Sequence, residues 1–387
     1  MIQVLDTTLR EGEQTPGVYF DSHVKLAIAM SLEKVGVDII EAGHPKVDPD
    51  IARATALVAS RITGATVAAH ARSIEADVDA ALECGVGFLG IFYCVSDRRL
   101  AQIGRDDLSS AIRRIADTIA YAKKRQPDLI IRYTPEDAVR SPFDNVVQAS
   151  IAAVEAGAEV ISVADTTGFM IPGSDRSLYD YVARFKETLA LSGLFPRIAV
   201  HCHNDRGLAL ANALDGVRAG AEIIDATVLG LGERAGIVDL AQLLHALQVD
   251  LKLGKPWNLE ALQDLYELVS RHAGVPVPVH HPLMGRNAFT HCAGVHTHAV
   301  ARDPVHYQSV DPAEFGRTIG VALDHMSGIS SIRWALDKLE AEVDESTQRR
   351  VLEVVKSIGR RGRTVSLSEL PYIISQCSAP SEQQLPS

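Results

Sequence analysis

The sequence predicts an α/β protein: a (β/α)₈ TIM barrel followed by a mainly helical C-terminal lid region. Three observations carry this. Short apolar runs recur eight times across residues 1–254, each followed by polar residues and then a helical pattern. Small glycine-bearing turns such as Val35-Gly36-Val37-Asp38 and Ala156-Gly157-Ala158-Glu159 close the helical stretches. The first run leads into Asp6-Thr7-Thr8-Leu9-Arg10-Glu11 rather than the glycine-rich phosphate loop of an open doubly wound sheet. Parallel strands need helical crossovers, and eight such units close on themselves.

In chain order the runs are 2–5, 37–40, 66–69, 88–92, 129–133, 160–163, 198–200 and 223–228, with amphipathic stretches at 22–35, 74–83, 108–123 and 208–218 between them. Composition shifts at Gly254-Lys255-Pro256, which sets the expected domains: barrel 1–254, helical lid region 255–377 and a disordered tail 378–387. Within the second, residues 259–273 and 332–358 read as helices around a His- and Gly-rich stretch at 279–306.

The chain has 387 residues, 47% hydrophobic and 22% charged, enough apolar content for a large core. A net charge of −11 argues against nucleic acid or an anionic membrane as partner. The five cysteines have no CxxC spacing, and the N-terminus carries no signal-peptide pattern, so a reduced, cytoplasmic protein is expected.

Barrel enzymes hold their chemistry at the carboxyl ends of the strands. Polar residues collect there: Asp6, Arg10 and Glu11 after run one, Glu41 after two, His70 and Arg72 after three. Arg132, Thr134 and Glu136 follow on run five, Thr166 on six, and His201-Cys202-His203 on seven. Strand alternation puts His201 and His203 on one face and Cys202 on the other. Two imidazoles and a carboxylate suit a divalent metal with open positions, with Glu11 as third ligand and Asp6 as ligand or supporting partner. Beside that ion Arg10 would polarise a carbonyl or stabilise an enolate. A guanidinium and a hydroxyl, Arg132 and Thr134, suit a distal carboxylate or phosphonate.

Asp6-Thr7-Thr8-Leu9-Arg10-Glu11-Gly12-Glu13-Gln14, His201-Cys202-His203-Asn204-Asp205 and Gly230-Leu231-Gly232-Glu233-Arg234 together resemble the signatures of the DRE-TIM metallolyases. That group contains several 2-oxo-acid synthases and an acyl-CoA lyase. The stretch Phe289 to His296, with Tyr307 and Phe315-Gly316-Arg317, resembles the homocitrate synthase branch. The resemblance implies an acyltransferase that condenses acetyl-CoA with a small anionic 2-oxo acid and hydrolyses the thioester. It implies Glu11, His201 and His203 as ligands of Mg²⁺ or Mn²⁺, with Zn²⁺ or Co²⁺ as alternatives. Catalytic residues would be Arg10, Glu136, His296 and Tyr307. His70, Arg132, Thr134, Thr166 and Arg206 would bind substrate. Gly230, Gly232, Glu233 and Arg234 would form the cofactor-binding loop, acetyl-CoA being the co-substrate. A homodimer is implied as well.

The chain departs from that branch where lysine-pathway members carry acids; Gly90 and Ala199 stand there, and Arg206 replaces a common Thr. Those changes make the neighbourhood more positive. Lysine is therefore not expected to inhibit, and phosphonopyruvate (giving 2-phosphonomethylmalate) or oxaloacetate joins 2-oxoglutarate as a candidate. Citramalate- or isopropylmalate-type synthesis and carbon–carbon cleavage of an acyl-CoA are the remaining alternatives.

Overall fold

The computed structural model describes residues 2–103, 107–300 and 302–378. The expected tail, beyond Ser378, lies outside them. The chain divides into two compact units, Met1–Val277 and Pro278–Ser387.

In the first unit eight parallel strands close in sequence order into a barrel. They are β1 (Gln3–Asp6), β2 (Ile39–Glu41), β3 (Thr66–Arg72), β4 (Phe88–Cys94), β5 (Ile130–Glu136), β6 (Val160–Asp165), β7 (Arg197–Cys202) and β8 (Ile223–Ala226). Between them run α1 (Ser22–Val35), α2 (Pro49–Arg61), α3 (Glu75–Glu83), the short α4 (Asp97–Ile103), α5 (Leu108–Arg125), α6 (Phe143–Glu155), α7 (Leu178–Leu191) and α8 (Ala209–Arg218). Caps start several of these helices: Asp21, Asp48, Asp107 and Ser177 each accept a backbone N–H of the first turn. The eight strands fall where the apolar runs predict, although β3 to β7 extend further into their polar ends.

One apolar side chain from each strand plugs the barrel: Leu5, Ile39, Ala68, Phe88, Ile130, Val160, Ala199 and Ile223. Strand periodicity then decides what stands above the plug. Two residues on, the same faces carry Glu41, His70, Gly90, Arg132, Ser162, His201 and Asp225. This is the switch from core to site, and it happens within a single pleat.

The first unit runs past the expected boundary at 254. Helix α9 (Leu240–His245) and helix α10 (Leu262–Ala273) are joined through Tyr266, whose hydroxyl donates to Asp239 at 2.9 Å and accepts from the Ala241 N–H at 2.8 Å. Helix α10 also packs on α1, so it belongs to the barrel. The glycine and lysine at 254–255 mark a surface turn inside the unit. The second unit holds a short parallel strand pair, β9 (Thr290–His291) and β10 (Gly320–Val321), with α11 (Gly294–Val300), α12 (Ile329–Lys338), α13 (Glu345–Gly359) and α14 (Leu370–Ser378). Its core gathers Leu323, Ile332, Leu336, Val351, Val355 and Leu370.

Lys25 occupies a position in the buried stripe of α1. Its ammonium donates to the carbonyls of Leu9 (2.7 Å) and Ala42 (3.0 Å) and pairs with Glu13 at 2.6 Å. It thereby fixes the segments that carry Arg10–Glu11 and Glu41. Lys25→Met leaves a carboxylate and two carbonyls without their cation. It is expected to lower stability by about 3–5 kcal/mol, read as an earlier urea midpoint at unchanged slope.

Candidate active site

A cavity of about 390 Å³ opens at the carboxyl ends of the strands. Arg10, Glu11, His70, Arg132, Thr134 and Glu136 line it, as do Thr166, His201, His203 and Glu233. Ten of the predicted site residues therefore share one wall-to-wall chamber, delivered by six strands and the loops that follow them.

At the floor the charges interlock. Asp225, fully buried on β8, accepts two bonds from Arg132 Nη1, each 2.9 Å, and one from His201 Nδ1 at 3.0 Å. Glu41 accepts from Arg10 Nε at 2.7 Å and Thr7 Oγ1 at 2.6 Å, and lies 3.4 Å from Arg132 Nη2. Burial works against the Glu41 charge, yet Arg10 and His70 hold the carboxyl well below the ordinary range. His70 sits 3.2 Å from Glu41 and stacks on Phe92 with ring centroids 4.7 Å apart. Burial, reinforced by Arg10, pushes it down to about 4, so it is a neutral imidazole near pH 7.

Asp225 fixes His201, one of the histidine pair. With Nδ1 of His201 tied to the carboxylate, its Nε2 faces His203 Nε2 at 3.3 Å. Two nitrogens each about 2.1 Å from one ion, at angles of roughly 90–110°, stand at about this separation. Burial and the neighbouring His201 lower His203 to about 4, which favours the neutral, ligating form. The pair therefore fits a divalent cation. Glu11 lies alongside, but its carboxylate is engaged by Arg10 and by the Glu233 N–H at 3.2 Å. As they stand, no three His, Cys, Asp or Glu side chains among the described residues converge on one point. Burial opposes the Glu11 charge, while Arg10 and both imidazoles outweigh it and keep the carboxyl below its usual value.

The three signature segments meet here. Thr15 bonds the backbone of Gly232 through both N–H (2.9 Å) and C=O (3.1 Å), and Arg234 pairs with Asp205 at 2.8 Å. A Cβ on Gly232 would lie 3.2 Å from Glu11, a tight contact that glycine avoids where the Glu233 N–H reaches that carboxylate. Gly230, Gly232 and Arg234 stand behind the cavity wall as a brace, and only Glu233 of this loop lines it.

Several expectations change. Asp6 is buried away from the cavity and accepts from Thr8 N (2.8 Å) and Oγ1 (3.1 Å), closing the turn after β1. Arg206 is exposed and donates to the Gly168 carbonyl, so it is not part of the lining. Ala199 belongs to the apolar plug below the floor. Of the three departures that made the site look more positive, Gly90 alone remains; its Cβ position lies 3.2 Å from His70 Nδ1 and 3.6 Å from Arg132 Nε. Arg132 finds its ion pairs at Asp225 and Glu41, two acids that sequence distance hides. His296 and Tyr307 lie in the second unit, with ring centroids 4.2 Å apart and planes tilted by 30°. The sequence reading misses Asp225, Ser162 and His44, all in the lining. Asp225 had a signal, an acid interrupting an apolar strand at the inward parity of Ile223.

Fold and site together define a polar-mouthed barrel of the HMGL-like family, to which this chain belongs: that family matches residues 1–269. The homocitrate synthase post-HMGL domain-like family matches residues 283–363. Homocitrate synthase of Pyrococcus horikoshii is 42% identical over 354 residues, covering 92% of this chain and 94% of the relative. Homocitrate synthase of Saccharolobus islandicus is 39% identical over 92% of this chain and 76% of its own length. The HMG-CoA lyase structure of Bacillus subtilis superposes with a TM-score of 0.61 at 22% identity, covering 74% of this chain and 96% of that one. It supports the barrel fold. No described helix is long and apolar enough to cross a membrane.

Proposed function

We propose that this protein condenses acetyl-CoA with a small anionic 2-oxo acid and hydrolyses the thioester, as a homocitrate synthase does. One observation carries the reading. A single buried carboxylate, Asp225, orients His201 and holds the Arg132 guanidinium, and all three residues line the same cavity. A keto acid bound at His201–His203 is thus aligned with Arg132.

His201, His203 and Glu11 would hold a divalent cation, with Glu11 exchanging its present bond to Arg10. When bound, that cation supplies Lewis acidity to the ketone of the oxo acid. Arg10, fixed by Glu41, directs its remaining N–H groups at the charge that develops on the ketone oxygen. Glu136, raised by burial above the ordinary carboxyl range, is the base for the acetyl methyl proton. The carbanion forms the new carbon–carbon bond at the ketone carbon, and the resulting alkoxide takes up a proton. Water then cleaves the thioester and frees the CoA thiol. His296 and Tyr307 are proposed to handle the remaining proton transfers.

2-Oxoglutarate is the first substrate on this reading, matching the relatives' name. A second reading takes a phosphonate at the far end, and the floor favours it on one point. Arg132 Nε, Thr134 Oγ1 and Ser162 Oγ are buried without partners among the described residues, and three donors on residues that line the cavity suit a three-oxygen anion.

The test is thiol release from acetyl-CoA with Mg²⁺ or Mn²⁺ across 2-oxoglutarate, oxaloacetate, 2-oxoisovalerate, pyruvate and phosphonopyruvate, with product masses confirmed. Preference for 2-oxoglutarate establishes the homocitrate reading, and preference for phosphonopyruvate the second. Chelation should abolish turnover and readded cation restore it. Thiol release without any oxo acid would instead support acyl-CoA cleavage.

A further inference from the structure

The cavity contains a histidine to which the mechanism gives no task. His44 lies in the loop between β2 and α2, and its ring lines the chamber beside Val47 and Phe92. Its Nε2 stands 2.9 Å from Asp77 Oδ2. Asp77, whose side chain is fully buried in the first turn of α3, also accepts from Arg72 N (3.1 Å), Nε (2.8 Å) and Nη2 (2.9 Å). Burial opposes ionisation of Asp77, but the bonds from Arg72 and His44 outweigh it and lower its pKa. An ionised carboxylate only accepts, so His44 Nε2 is the protonated nitrogen and Nδ1 is the one left for a ligand.

The ring is also fixed from the other side. It meets His70 edge-on at 5.9 Å and Phe92 edge-on at 6.5 Å, and the Gly43 carbonyl beside it accepts the His70 N–H at 2.9 Å. Phe92 is in turn the register partner of Thr134. His44, His70, Phe92 and Thr134 thus form the β2–β5 side of the chamber. In a closed eight-strand barrel β3 lies across from β7, which carries the histidine pair. This wall therefore lies across the cavity from the histidine pair.

Resting on the condensation reading above, we propose that His44, oriented by Asp77, is a specificity-determining residue that recognises the distal anionic group of the oxo acid. The dyad is built for that task. With Nε2 held by the buried Asp77 carboxylate, Nδ1 is the nitrogen turned to the ligand, and a ring carrying both protons would donate to Asp77 on one side and to the anion on the other. Arg72 neutralises the carboxylate behind it. Val47, Ile51 and Phe92 supply apolar surface beside it.

The experiment measures steady-state kinetics and calorimetric oxo-acid binding for the unchanged protein, His44→Phe and His44→Gln. The preferred oxo acid is compared with its distal amide. His44→Phe should raise KM and Kd for the acid at least about 10-fold, because one charge-assisted bond is lost. The KM for acetyl-CoA and the kcat should stay within about 2-fold, since the residue would act on binding alone. The preference for acid over amide should collapse, and His44→Gln should recover part of it. An undiminished preference in His44→Phe overturns the role of His44, as does an equal loss on acid and amide. No turnover of any oxo acid by the unchanged protein overturns the condensation reading instead, a different result from either.

Discussion

Replacing Asp225 with alanine should cost both stability and cation affinity, more than any other change on the barrel floor. Arg132 is buried, with a side-chain exposure of 2%, and Asp225 supplies both of its short contacts. Without Asp225 the guanidinium retains only Glu41, at 3.4 Å, and Glu41 is already shared with Arg10 and His70. Breaking a buried pair from one side typically costs about 3–5 kcal/mol. Chemical denaturation should show that loss as a lower midpoint. The second effect is separable. His201 loses the acceptor that fixes its Nδ1, and removal of such an orienting partner typically weakens metal binding by about 10–100-fold. Titration of Mn²⁺ into the folded variant measures this directly. Asp225→Asn is the control: its amide keeps the shape and can accept one bond. It should recover much of the stability but little of the cation affinity, because a neutral acceptor polarises His201 less. Equal recovery of both would mean that Asp225 serves the fold alone.

Asp225 also shows where the sequence is legible and where it is not. The barrel follows from local pattern, since each strand–helix unit declares itself through apolar runs, turns and caps within a few tens of residues. The motif segments are equally local, and strand alternation correctly sends His201, His203, Arg132 and Thr134 inward. What a local reading cannot supply is the partner. Arg132 and Asp225 are 93 positions apart and meet only because closure brings β5 and β8 around one axis. The same holds for Lys25, an ammonium in an apolar stripe whose two carbonyl acceptors and carboxylate come from two loops. Arg206 failed for the opposite reason. It adjoins a strong motif but follows the end of β7, after which alternation no longer governs direction. Ala199 failed on depth: it has inward parity but sits one pleat too low. The boundary at 254 read a surface turn as a linker, because the bond between Tyr266 and Asp239 has no local signature.

Glu136→Gln should reduce kcat by about 10²–10⁴-fold, the range for loss of a positioned general base, while leaving the KM for the oxo acid near its original value. The split follows from position. Glu136 ends β5 at the cavity mouth, two residues above Thr134 and four above Arg132 on the same face, clear of the floor residues proposed to bind the keto acid. Its pKa gives the pH dependence a sign. Burial raises the carboxyl above its ordinary value, Arg99 pulls against that, and Asp137 and Glu233 push it up further. A base must be ionised to accept a proton, so turnover falls as pH drops through the raised pKa. The acid limb of kcat should therefore lie at higher pH than for a free glutamate, near 4.3. Weakening the opposing cation should move it further the same way. Arg99→Ala should shift the limb upward in pH while the alkaline side stays in place. Glu136→Gln should abolish the limb and leave a low, flat rate. A limb that persists in Glu136→Gln would assign the titrating base to another group, and Glu136 would then be a mouth residue that shapes access without moving the proton.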